Sequence, residues 1–212
     1  PRDVEVATRA LLAAKNPIIY VGQGVFWADA VEELREFVEL VQAPVVTTLL
    51  GKSVFPENHP LAIGFIRGNP VIHFMEQADL IFSIGSGLNQ TTTMSPQIPA
   101  GKVVIQCTID ERDLNRRTPI DHGIIGDANL VLKQLIAEVK TQRGEKQRDD
   151  ALIGEIQEQK EAWLKELRPY ATSNEVPINP YRVIWDLMHT VDRKSTILTH
   201  DAGSPRDQTT TL

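Results

Sequence analysis

APVVTTLLGKSVFPENHPL, Ala43–Leu61, decides the fold together with ADLIFSIGSGLN, Ala78–Asn89, a short way downstream. Each stretch holds an apolar run, VVTTL or LIFSIG, that ends in a small, glycine-containing turn. Such turns at strand ends form the ligand crevice of an open parallel sheet. Further runs of the same kind flank them: PIIYVG (Pro17–Gly22), PVVTTL (Pro44–Leu49), DLIFSIG (Asp79–Gly85), KVVIQCTID (Lys102–Asp110) and HGIIGD (His122–Asp127). They are continuous rather than alternating, as parallel strands buried on both faces are.

Helical patterns lie between them. Asp3 can N-cap a helix through Ala14, with Val6, Ala10 and Leu11 on one face. Ala28–Val41 carries the stripe Val31, Leu34, Val38 and Val41 opposite Glu32, Glu33, Arg35, Glu36 and Glu39. A short helix covers Val71–Gln77, and Asp127 caps another with Leu132, Leu135, Ile136 and Val139 inward. Strand–helix alternation predicts right-handed βαβ units in an α/β fold. The expected architecture is an open, doubly wound, Rossmann-like parallel sheet with a C-terminal helical and partial α/β extension.

The last third changes character. TQRGEKQRDD (Thr141–Asp150) reads as a linker, and Ala151–Leu167 as a charged helix stopped by Pro169. In PINPYRVIWDLMHTV (Pro177–Val191), Asn179 reads as an N-cap and Pro180 as the first helical residue. STILTHDAG (Ser195–Gly203) reads as a new strand entering a glycine turn. The expected division is 1–140 for the sheet domain, 141–176 for linker and charged helix, and 177–212 for the start of another α/β domain. The chain opens at Pro1 already entering a helix and closes at Leu212 just past that strand. The expectation is a piece from the middle of a larger enzyme, inactive alone.

With 42% hydrophobic and 24% charged residues among 212, the chain has the composition of a globular protein with a sizeable core. A net charge of -6 and no Lys/Arg run argue against a nucleic-acid partner. No segment approaches the ~20 apolar residues of a membrane span. The single cysteine, Cys107, cannot form an intrachain disulfide; it reads as a small buried hydrophobe, and a cytoplasmic setting fits.

Four turns are candidates for chemistry. GQGVFWA (Gly22–Ala28) follows a strand and precedes a helix, where glycines permit a tight turn and close approach of a phosphate. It lacks a third glycine and an acidic residue at the next strand end, so a purely structural turn stays open. TTLLGKSVFPENHPLAIG (Thr47–Gly64) is not a P-loop, because the G-x-x-x-x-G spacing is absent and Pro56 disfavours a following helix. SIGSGLN (Ser83–Asn89) and TIDERDLN (Thr108–Asn115) complete the set. Four such turns on one edge suit an elongated ligand such as a dinucleotide, or an empty remnant crevice. The five histidines are scattered without metal-ligand spacing, and no G-x-S-x-G elbow supports a catalytic triad.

LLAAKNPIIYVGQGV, VEELREFVELVQAPVVTTLLGKSVFPENHPLAIG, ADLIFSIGS and GIIGDANLVLKQL, in that order, closely resemble the central domain of thiamine-diphosphate enzymes, especially acetolactate synthases and their decarboxylase relatives. The resemblance covers Val4–Val139 and resumes over Pro177–Gln208, which looks like the opening of the family's C-terminal, diphosphate-binding domain. It implies a parent that decarboxylates or ligates 2-keto acids, a lyase or transferase, through a cofactor acting as electron sink. In the family a first domain supplies a catalytic glutamate, and a last domain supplies a G-D-G…N motif for Mg²⁺ and the diphosphate. Gly126-Asp127-Ala128 only looks similar to that motif, so no catalytic or metal residue is assigned here.

The resemblance also implies partners: the N- and C-terminal domains of the same chain, in a homo-oligomer. In the acetolactate synthases the central domain binds FAD, in some relatives ADP, and in others nothing. The matching cofactor positions are Gly22, Gly24, Thr48, Leu49, Gly85, Ser86, Ile109 and Asp110, with Gly203 and Ser204 (and Arg206 beside them) toward the diphosphate. The sequence departs from the family at three places: Gly87 stands for an arginine, Thr108 for an aspartate, and Ile66-Arg67-Gly68 for a methionine-His-Gly turn. The alternatives are a free-standing nucleotide-binding module, resembling the NAD-binding deacetylase-type fold, and a structural spacer.

Overall fold

The computed structural model describes residues 1–65, 68–88, 98–143 and 148–209. The chain divides into two compact units, Pro1–Gln157 and Glu158–Leu212.

The first unit is built on six parallel strands: β1 (Pro17–Val21), β2 (Val45–Thr47), β3 (Ala62–Phe65), β4 (Leu80–Ile84), β5 (Val103–Thr108) and β6 (His122–Ile125). Their spatial order is β3-β2-β1-β4-β5-β6. This is the doubly wound order, and it reverses between β1 and β4. The central strands are buried because helices cover the sheet. α1 (Arg2–Ala13) and α3 (Val31–Val41) both pack on α5 (Ala128–Gln142). Phe37 of α3 meets Phe82 of β4 edge to face, centroids 6.0 Å apart, an arrangement worth about 1 kcal/mol beyond the area buried. Ser83, next along β4, faces the opposite way because strand side chains alternate. α4 (Asn69–Gln77) is tied to the first turns of α6 (Asp150–Ala171) by His73 Nε2 and Glu155 Oε1, 2.7 Å apart.

The second unit holds the rest of α6, then α7 (Pro180–Thr190) and α8 (Ser204–Thr209). Asn179 caps α7 by accepting a hydrogen bond from Tyr181 N–H, and Pro180 opens it, as its sequence predicts.

Several expectations need correction. The strand expected at Ser195–Gly203 does not form: the segment is irregular and Ile197 is 90% exposed. A parallel strand needs a neighbour for its N–H and C=O groups, and none of the described strands lies beside it. Pro169 does not stop α6, which runs on to Ala171. So near a C-terminus proline forfeits only one intrahelical bond. The helix expected over Ala28–Val41 starts three residues later, as α3 at Val31, because Asp29 takes a left-handed φ of 49° and breaks the chain between α3 and the short α2 (Gly24–Trp27). α1 begins at Arg2, with Pro1 rather than Asp3 at the cap. Within the stretch expected as a turn, Thr47–Gly64, the chain also enters β3, an edge strand on β2 with a register shift beside Gly64.

Candidate functional site: the crevice at the strand C-termini

In a parallel sheet all strand C-termini share one edge, so the turns after β1, β2, β4, β5 and β6 converge there. Where the order reverses, the turns after β1 and β4 interlock. Gly22 N–H donates to Ile84 C=O and Gly24 N–H to Gly85 C=O, each at 2.9 Å. A Cβ on Gly22 would stand 2.3 Å from the Gly85 carbonyl oxygen, and Gly85 itself holds φ +66°. Only glycine fits at this crossing. Gln106, fully buried in β5, donates from Nε2 to the Ser86 carbonyl at 3.1 Å and fixes the turn after β4.

Beside this crossing, a crevice of about 350 Å³ opens between the turns after β1, β4, β5 and β6. Gly24, Gly85 and Gly87 lie along it; Trp27 and Ile109 form apolar walls, 76% and 75% exposed. Among the described residues that line it, Asp113 and Asp127 carry charge and none is Lys, Arg or His. Cys107 sits at its buried side. Burial, with the Asp127 charge adding to it, pushes that thiol up to about 12, so it stays protonated and weakly nucleophilic.

Asp127 caps α5: one carboxylate oxygen accepts from Asn129 N–H at 3.0 Å and Leu130 N–H at 3.2 Å. It thereby occupies the positive end of that helix. Asp110 is bound at both oxygens by the Arg112 guanidinium, at 2.6 to 3.0 Å, which holds its carboxyl down to about 2.

Of the positions expected to meet a cofactor, Gly24, Gly85 and Ile109 line the crevice. Gly22 lies in the crossing beneath it. Thr48 serves its own loop: its N–H donates to Val21 C=O at 2.8 Å and its hydroxyl accepts from Gly51 N–H at 2.9 Å. Leu49 packs against Phe65, and Ser86 Oγ accepts from Leu88 N–H at 3.3 Å. Gly203, at φ +83°, and Ser204, first residue of α8, belong to the second unit. Ile66 and Arg67 lie outside the described residues. Trp27, Asp113 and Asp127 escaped the sequence reading as site residues. The usable signal for Trp27 was an aromatic directly after a strand–glycine turn. Among the described residues, no group of three or more His, Cys, Asp or Glu side chains is placed to hold a metal ion. None of the described helices is long and apolar enough to cross a membrane.

Comparison with known proteins agrees with this architecture. The sequence pattern of the family described as "Thiamine pyrophosphate enzyme, central domain" matches residues 4–135. The "Probable acetolactate synthase large subunit" of Methanococcus aeolicus is 31% identical over 96% of this chain and 36% of its own length. Acetolactate synthase isozyme 3 large subunit of Escherichia coli is 30% identical over 95% of this chain and 35% of its own. An X-ray structure from Mycobacterium smegmatis, described as that of a candidate thiamin diphosphate-dependent enzyme, superposes with a TM-score of 0.57 at 26% identity, covering 67% of this chain and 28% of that one. The chain thus spans about a third of the length of these relatives. With its six-stranded doubly wound sheet and a family match across most of the first unit, the chain belongs to the thiamine pyrophosphate enzyme central-domain family.

Proposed function

We propose that this chain is the central domain, with the beginning of the domain that follows, of a thiamine-diphosphate-dependent 2-keto acid carboligase or decarboxylase of the acetolactate synthase kind. The observation that carries this reading is the alignment with acetolactate synthase large subunits over 96% of the chain, well beyond the central-domain match that ends at residue 135. The proposed division is 1–140, 141–176 and 177–212. The remaining domains of the same polypeptide would be its partners, in a cytoplasmic homo-oligomer.

Thiamine diphosphate, when bound with Mg²⁺, supplies the electron sink of the parent reaction. Among the described residues no carboxylate cluster fits Mg²⁺. Gly203 and Ser204 are the positions proposed to face the diphosphate, through backbone N–H and hydroxyl. The first unit contributes a rigid sheet and a crevice to which Gly24, Gly85 and Ile109 are the proposed ligand-facing contributions. That role is structural before it is catalytic: the glycine turns are spent on each other.

The reading is tested by carbon dioxide release from 2-keto acids, with thiamine diphosphate and Mg²⁺ added. The 212-residue chain alone is expected to be inactive, and the chain joined to flanking domains active. Turnover by the chain alone, or its absence with the flanking domains present, would overturn the assignment.

A further inference from the structure

We infer that His59 is a pH-sensitive pin: neutral, it ties the loop between β2 and β3 to α3, and protonated, it keeps α3 and lets the loop go. The bonds around the ring fix its tautomer. Leu61 N–H lies 3.1 Å from Nδ1, and an amide N–H only donates, so Nδ1 accepts and carries no proton. Nε2 lies 3.3 Å from Glu39 Oε1 on α3, and an ionised carboxylate only accepts, so Nε2 carries the proton. The neutral ring therefore satisfies both partners at once. Its bond to Leu61 reaches two residues on, where an Asn or Asp side chain would close a turn on the backbone. The side chain is 15% exposed, and its ring centroid stands 4.8 Å from that of buried Phe55, at the margin of the core.

A proton taken from solvent removes the acceptor. The imidazolium donates from both nitrogens, so Nδ1–H confronts Leu61 N–H and that bond is lost. Glu39 keeps the ring, because its bond from Nε2 becomes charge-assisted. Arg35 Nε, 3.7 Å from the same Glu39 oxygen, competes for that carboxylate. The loop's own charges, Lys52 and Glu57, pair with each other, and β2 and β3 contain no titratable side chain. What the lost bond frees is the entry to β3. Leu61 C=O accepts from Val45 N–H of β2 at 2.8 Å, and His59 C=O from Ala62 N–H at 3.0 Å. β3 lies at the edge of the sheet, with β2 as its neighbour. Ser53 in the same loop holds φ 74°, a left-handed value that disfavours a non-glycine residue, so the loop is held under strain. The loop also carries Thr48 and Leu49, which places the pin on a segment expected to meet a cofactor. The inference concerns this loop and not the parent reaction, so its failure leaves the carbon dioxide assay untouched.

The test follows the 212-residue chain by NMR from about pH 8 to about pH 5, the range in which imidazoles change charge. At the alkaline end the ring nitrogens of His59 should report the Nε2–H form, with the Leu61 amide protected from exchange relative to an unstructured chain. As His59 takes up its proton, Leu61 protection should fall about fivefold, the equivalent of one net hydrogen bond. The Ile19 amide, bonded to Pro44 C=O inside the sheet, should hold its protection throughout. His59→Asn sets a non-titrating oxygen to accept from the amide two residues on, and should keep Leu61 protected at both ends of the range. His59→Phe offers no acceptor and should leave it unprotected at both. Three outcomes would overturn the inference: a ring proton on Nδ1 at the alkaline end, Leu61 protection that stays constant while His59 titrates, or a His59→Asn chain that still loses protection in acid.

Discussion

The two units of this chain use similar apolar residues to opposite effect. In Pro1–Gln157 nearly every residue of β1 and β4 is buried, and Phe37, Phe82, Ile84 and Leu34 are wholly so. In Glu158–Leu212, α7 buries none of its residues, and Val176, Ile178, Ile197 and Leu198 are exposed. The sequences do not explain this by composition: STIL at Ser195–Leu198 is as β-prone as PIIYV at Pro17–Val21. The difference is partnership. β1 has hydrogen-bonding neighbours on both sides, β2 and β4. The later segment has none among the described residues. Burial follows from a completed layer, not from an apolar stretch alone.

That contrast can be broken by matched truncations. Phe82→Ala removes a fully buried ring and should cost about 3–5 kcal/mol in denaturant unfolding. Ile197→Ala should stay within about 0.5 kcal/mol, as exposed substitutions do. Equal costs would show that the second unit buries Ile197 in solution and would end the comparison. Gly22→Ala probes the crossing of the β1 and β4 turns: its Cβ meets backbone, which cannot swing aside. A loss of about 2 kcal/mol is expected, with the unfolding midpoint as readout. A neutral outcome would mean that the two turns separate readily. Asp127→Ala removes the α5 cap and should cost about 1 kcal/mol. It should also make Cys107 easier to ionise at alkaline pH, because the smaller of its two raising influences is gone.

What the sequence made legible follows the same division. β1, β4 and β5 were readable because strands buried on both faces are apolar along most of their length; the edge strand β6, with Ile125 exposed, was readable from its short apolar run before Gly126-Asp127. β3 was not, since Ala62–Phe65 is four residues long, interrupted by Gly64, and exists only because β2 offers it an edge. The strand expected at Ser195–Gly203 fails for the converse reason: the propensity is present and the edge is not. At the site, the glycine turns were legible as turns but not in their use. The text GQG cannot reveal that its amides are taken by Ile84 and Gly85, which follow some sixty residues later. Nor can ID at Ile109-Asp110 reveal that Arg112 captures the carboxylate. The first is a fact about which turns meet, and the strand order decides it; the second is local to the turn after β5.

The smallest effect is expected inside the well-packed unit, which shows that burial rather than location governs cost. Asp110 and Arg112 lie on the turn after β5, and the guanidinium holds the Asp110 carboxyl down to about 2. Arg112 is exposed and Asp110 partly exposed. A carboxyl whose folded value is depressed adds stability above the ordinary carboxylate range and loses it as the pH falls toward 2. In so exposed a pair that contribution is screened and small. Arg112→Ala should therefore return Asp110 to ordinary carboxylate titration, followed by NMR as a function of pH, and leave the neutral-pH melting temperature unchanged. A clear drop in melting temperature would show that the ion pair braces the β5 turn and, with it, the Ile109 wall of the crevice.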